Sequence, residues 1–201
     1  MDKVLPWEKG WRKGRLGDNK EVVLKNLLVF KEVMDRNGVP FFLIMGTLLG
    51  AIRDNDFISW DDDIDTGSYY ELKKSSQMAQ VRKELAELGF YVMPEQPNIG
   101  YDDVFIRDGE KIEIWWYERI GEYRVYDKVR LKDHYYEAAD IETLNYLMFH
   151  NHLFPIPSDY EKVLNLIYSD NWRTPNPNAP GKASILTLVG KPCPVFKDGK
   201  V

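Results

Sequence analysis

Three observations predict that this sequence forms an α+β domain. A helix-spaced apolar face runs through Leu24, Leu27, Leu28, Val33 and Met34. A short continuous apolar run, Phe41 to Met45, follows it, too short for a helix and suited to a strand buried on both faces. Further on, Val104-Phe105-Ile106 and Lys111 to Tyr117 flank Asp108-Gly109, a turn pair that joins antiparallel strands. An αβα stretch therefore comes first, with antiparallel strands after it.

Taken in order, residues 1–17 place Gly10, Gly14 and Gly17 among basic residues and tryptophans, which predicts an irregular lead-in docked by Trp7 and Trp11. Asp18 with Glu21 three residues later resembles a capping box, opening a first helix that runs to Gly38. The strand Phe41 to Met45 ends at Gly46-Thr47. Leu48 to Arg53 then reads as a short helix, Asp54 to Ser59 as a loop, and Asp61 to Asp65 as the approach to a second strand through Thr66-Gly67. Leu72 to Leu88 is an amphipathic helix closed by Gly89, and Phe90 to Met93 a strand. Tyr123 to Val129 adds another strand, while Ile141 to Phe149 fits either helix or strand. Pro155 and Pro157 precede Ser158 or Asp159 as the cap of a last helix with Tyr160, Val163, Leu164 and Ile167 on its apolar face. Residues 175–201, rich in Pro and Asn, read as a wrapping tail with Ser184 to Val189 as a candidate strand. The whole of 1–201 is expected to be one domain, and no internal repeat is visible.

With 201 residues and 44% hydrophobic content, the chain is long enough to bury a real core. A net charge of -5 argues against a broad nucleic-acid-binding face, because neutralising a phosphate backbone takes clustered Lys and Arg. The lone Cys193 excludes an internal disulfide and a Cys-rich zinc site. No apolar run has signal-peptide or membrane-spanning form, so the expected location is cytoplasmic. His134, His150 and His152 make no ligand pattern with the acids, and no Ser, His and acid grouping suggests a hydrolase triad. The oligomeric state cannot be read from the sequence.

The chemistry concentrates in Trp60-Asp61-Asp62-Asp63-Ile64-Asp65. Four carboxylates in five positions repel one another, and burying them together without a cation is costly. Strand alternation puts Asp61, Asp63 and Asp65 on one side, with Asp62 and Ile64 on the other. Most aspartate runs are solvated loops. Here, Phe57, Ile58, Trp60 and Ile64 anchor the run in the core. Hard oxygen ligands without His or Cys nearby suit Mg²⁺ or Mn²⁺. The mid-loop Gly and closing Glu of an EF-hand are missing. A third carboxylate is expected from Glu113, set off on its strand by apolar Ile112 and Ile114. Gly46 leaves room for a phosphate to approach the backbone, and Thr47 adds a hydroxyl. Arg53 can pair a phosphate or one of the excess aspartates.

FFLIMGTLLGAIRDNDFISWDDDIDTG, Phe41 to Gly67, resembles the signature of the LicD and fukutin family. IPSDYEKVLNLIYSDNWRTP, Ile156 to Pro175, is similar to the family's closing segment, and IEIWWY, Ile112 to Tyr117, resembles its apolar-acid-apolar strand. The resemblance implies a nucleotidyltransferase (DNA polymerase beta-like) fold, a mixed sheet flanked by helices. It implies that Asp63 and Asp65 bind metal, with Asp61 in support and Glu113 at the third-carboxylate position. It further implies transfer of a phosphorylated alcohol, such as phosphocholine, from a CDP-linked donor to a glycan or glycolipid acceptor, releasing CMP. Asp61 or Glu113 would take the hydroxyl proton. Two other readings use the same residues: an NTP-dependent nucleotidyltransferase, and a non-catalytic nucleotide-binding homologue. Three positions depart from the family pattern: Ser59 where Pro is usual, Ser169 where Gly is usual, and Glu113 where Asp is usual.

Overall fold

The structure is a computed structural model and describes residues 15–93, 103–126 and 135–177. Trp7, Trp11, His134, Cys193, the Ser184 to Val189 strand and most of the expected lead-in and tail lie outside the described residues.

The first helix, α1 (Lys20–Arg36), buries Leu27, Val33 and Met34 of the expected face and Val23 and Phe30 besides, while Leu24 and Leu28 at its edge are only partly buried. Its start differs from the expected capping box. Asp18 belongs to a 3-10 turn, Leu16–Asp18, and Asn19 stands at the cap position without a side-chain bond. That turn is committed elsewhere: Leu16 N–H donates to the Asp61 carbonyl at 2.8 Å and Gly17 N–H to the Ser59 carbonyl at 3.3 Å. Gly38, at φ 65, ends the helical segment as predicted.

Strand β1 (Phe42–Leu43) is shorter than expected, because the chain turns at once into α2 (Met45–Arg53). Gly46 and Thr47 thus sit in the first turn of a helix and not at a strand's end. β1 pairs antiparallel with β2 (Ile64–Tyr69), and its Phe42 ring lies over Gly67, where a Cβ would come within 2.3 Å of it. The acids Asp61 to Asp63 lie in the approach to β2, so strand alternation does not govern them.

A 3-10 turn, Tyr70–Leu72, precedes α3 (Ser76–Glu87), whose cap is Ser75, with its hydroxyl accepting from Met78 N–H at 3.1 Å. β3 (Tyr91–Val92) leads to the predicted hairpin of β4 (Asp103–Arg107) and β5 (Glu110–Ile120). Asp108 at φ 54 and Gly109 at φ 86 supply the turn geometry that makes Asp-Gly favourable there. β6 (Tyr123–Tyr126) and β7 (Tyr135–Glu137) continue the same sheet, and α4 (Ala138–Glu142) follows.

The sheet is mixed. Its order is β1-β2-β5-β4-β3, with β6 on β5 and β7 on β6, and all pairings are antiparallel except β2 with β5. The segment that fitted either state divides, with Ile141 in α4 and β8 (Leu144–Phe149) as a strand paired to β9 (His152–Pro157). Pro155 and Pro157 are therefore strand residues. Asp159 caps the last helix, α5 (Tyr160–Tyr168), accepting from Lys162 N–H at 3.1 Å.

The core lies between α1 and the sheet, where the Phe30 ring meets Phe41 and Phe105 at centroid distances of 5.4 and 5.8 Å. No helix among the described residues is long and apolar enough to cross a membrane.

Candidate metal centre

The parallel pairing sets Asp65 on β2 directly beside Glu113 on β5. On β5, Lys111, Glu113 and Trp115 share a face, since alternate residues point the same way. Loop residues Asp61 and Asp63 complete the cluster: one carboxylate oxygen each from Asp61, Asp63 and Asp65 lies within 4.8 Å of the others. Such converging oxygens fit a divalent cation with hard-ligand preference.

Asp65 is the most constrained of the three. Its Oδ2 accepts from Gly46 N–H at 3.2 Å, its Oδ1 from Trp115 Nε1 at 2.9 Å, and its own N–H donates to Thr47 Oγ1 at 2.8 Å. Gly46 lies in the first turn of α2, so the carboxylate also sits at a helix N-terminus, where negative charge is favoured. Met45, just before it, is held at φ 48, a backbone conformation that costs energy for a side-chain-bearing residue and is tolerated where a turn must aim the chain. A Cβ at Gly46 would lie 2.1 Å from Asp61 Oδ2, so any side chain there would displace that carboxylate.

Electrostatics show what this crowding costs. Burial, then the charge of Asp63, raises Asp61 from its ordinary 3.8 to about 7. Asp65 is pushed well above the carboxylate range by burial and by Asp63, Asp61 and Glu113. Glu113 is raised by burial and by Asp63. A cation among these oxygens would reverse all three shifts.

The loop that carries Asp61 and Asp63 is tied down from several directions. Besides the Leu16 and Gly17 bonds, Asp56 pairs with Lys20 and lies 3.2 Å from His150 Nε2, whose ring stacks on Phe57. His150 thus packs against the loop's base, apart from the acid cluster.

The structure brings Asp61, Asp63, Asp65, Glu113, Gly46 and Thr47 together, but Glu113 is outside the three-oxygen group and its Oε1 accepts from Lys111 Nζ at 2.6 Å. Arg53 is turned away from the acidic run: its Nε and Nη2 bind both oxygens of its neighbour Asp54, and it also reaches the Trp172 carbonyl. Three neighbours of the acids were missed by sequence reasoning. Lys111 and Trp115 could have been found by extending the β5 alternation two residues either side of Glu113. Tyr168, at the end of α5, is raised well above the usual tyrosine range by burial and by Asp65 and Asp61; it lies in the Ile156 to Pro175 segment, whose resemblance to the family gave it no role.

This chain belongs to the LicD/FKTN/FKRP nucleotidyltransferase domain family, whose model matches residues 38–159, more than half of its length. Together with the clustered carboxylates, that membership supports a transferase of phosphate or nucleotide groups. The chain is 29% identical over 131 residues to the uncharacterized protein RP689 of Rickettsia prowazekii, covering 63% of this chain and 45% of that protein. It is 28% identical over 98 residues to the uncharacterized protein RT0683 of Rickettsia typhi, covering 48% and 29%. It therefore spans less than half the length of either relative. Among solved structures, ANT(2")-Ia in complex with adenylyl-2"-tobramycin superposes with a TM-score of 0.49 at 16% identity, covering 83% of this chain and 90% of that one. The lincomycin-bound lincosamide antibiotic adenylyltransferase LnuA gives 0.48 at 11%, covering 83% and 96%. Both likenesses are loose.

Proposed function

We propose that this domain transfers a phosphorylated alcohol of the phosphocholine type from a CDP-linked donor to a glycan hydroxyl, releasing CMP, in a reaction that needs Mg²⁺ or Mn²⁺. The observation that carries the metal dependence is the convergence of Asp61, Asp63 and Asp65 oxygens within 4.8 Å. Family membership supports the transfer reaction. Bound there, the cation would neutralise the donor's pyrophosphate.

The chain's own residues have distinct tasks in this reading. Asp63 and Asp65 hold the ion, and Gly46 and Trp115 keep the Asp65 carboxylate in place through the two bonds at 3.2 and 2.9 Å. Gly46 leaves the approach open for phosphate. Asp61, beside the ion and within reach of the same site, is the acid placed to accept the proton of the acceptor hydroxyl. Arg53 stays with Asp54 and shapes the loop unless donor binding draws it away.

The test is calorimetric titration of CDP-choline, CDP-ribitol, CTP and ATP with and without Mg²⁺, repeated on Asp63→Asn with Asp65→Asn. Metal-dependent binding of a CDP-alcohol that is lost in the double variant is the expected result. Preference for a triphosphate would replace this reading with NTP-dependent nucleotidyl transfer, and no binding at all would favour a non-catalytic homologue.

A further inference from the structure

We infer that Lys111 is a tethered cation standing where a second metal ion would otherwise sit, so that this centre takes one divalent cation. The inference rests on the metal reading above and refines it. Lys111 Nζ lies 2.8 Å from Asp63 Oδ2 and 2.6 Å from Glu113 Oε1, bridging the two carboxylates as a bound ion would. The three side chains are only 14, 16 and 19% exposed, so the bridge is shielded from solvent and its charges are little screened.

Charge and space lead to the same assignment. Asp61, Asp63, Asp65 and Glu113 carry four negative charges when ionised. One divalent ion with the Lys111 ammonium offsets three of them. Two divalent ions would offset all four and leave the buried Lys111 ammonium as excess positive charge. The position between Asp63 and Glu113 is also filled by Nζ, and a metal there would need those same oxygens at about 2.1 Å. Asp63 has a second oxygen, so it can face the metal with Asp61 and Asp65 while its Oδ2 holds the lysine. Glu113 then acts on the site through Lys111 as a positioning residue. Its extra methylene, relative to the aspartate usual in the family pattern, gives it reach toward Nζ.

Lysine placement on β5 supports a built feature. Lys111 follows the Asp108-Gly109 turn and pairs across the sheet with Ile106, which fixes its register. Alternation then directs its side chain to the face that carries Glu113 and Trp115.

The experiment counts Mn²⁺ on the full chain by equilibrium titration and electron paramagnetic resonance, for the wild type, Lys111→Ala and Lys111→Arg. Expected are one uncoupled Mn²⁺ in the wild type and in Lys111→Arg, and two in Lys111→Ala, with the exchange coupling of ions about 4 Å apart. Two ions in the wild type, or a single ion in Lys111→Ala, would overturn the inference and leave the metal reading standing. No Mn²⁺ in any of the proteins would bring down the metal reading itself. If Lys111→Ala does not fold, Lys111→Met carries the same count.

Discussion

Removing an acid from the cluster should stabilise the metal-free protein, and Asp61→Asn is the cleanest case. Asparagine keeps the shape and can still accept the Asp62 N–H that Asp61 Oδ1 accepts at 3.1 Å. Asp61 is shifted from 3.8 to about 7, chiefly by burial and by Asp63. A carboxyl whose folded value is raised binds its proton more tightly in the native state, so native stability falls as pH rises from the unfolded value toward the folded one. The penalty is absent near pH 4 and complete above about pH 7. A shift of this size corresponds to roughly 4 kcal/mol, an upper bound because the neighbouring acids titrate together. At roughly 2–4 °C per kcal/mol for a chain of this length, Asp61→Asn should melt several degrees above the wild type at pH 8 in chelator. The two should melt together near pH 4. Saturating Mn²⁺ should raise the wild type more than the variant, because a ligand stabilises in proportion to its preference for the native state. Thermal denaturation at the two pH values, with EDTA and with Mn²⁺, gives all four comparisons. An Asp61→Asn protein that melts at or below the wild type at pH 8 in EDTA would refute the claim that this acid is held against its own stability.

Two further substitutions test the site's geometry and the strain beside it. Gly46→Ala would put a Cβ 2.1 Å from Asp61 Oδ2, and a Mn²⁺ titration should show affinity weakened by about 10–100-fold; unchanged affinity would show that Asp61 can swing clear at no cost to the ion. Ser169, at φ 60 and ψ −179, occupies a region that is essentially glycine's, so Ser169→Gly should raise the melting temperature by an amount equivalent to about 0.5–2 kcal/mol, and a drop would mean that this conformation is not strained.

What could be read from the sequence was what local chemistry decides. The Asp108-Gly109 hairpin was legible because its left-handed backbone admits few residue types, and α1 because its apolar spacing matches one helical face. The acid cluster was legible because crowded aspartates framed by Trp60 and Ile64 have few structural uses. Its internal geometry was not. Alternation predicts the right trio, yet β2 starts only at Ile64, and Asp61 and Asp63 are aimed by hydrogen bonds from Leu16 and by the Lys111 ammonium. Those partners come from distant parts of the chain. The same reason hid the state of Leu144–Phe149, which becomes a strand through pairing with His152–Pro157. The supposed cap at Asp18 failed because its turn is bound to the acid loop, a long-range demand that overrides a local preference.

The parallel pairing of Ile64–Tyr69 with Ile112–Tyr117 has a kinetic consequence. Asp65 and Glu113 become neighbours only after the intervening chain, α3 and the β4 hairpin included, has closed a long loop, and such closure is entropically slow. No early, locally formed intermediate can contain the complete acid centre. A divalent ion taken up there would therefore meet a nearly finished fold and act as a latch on its unfolding rate, leaving the rate of folding almost untouched.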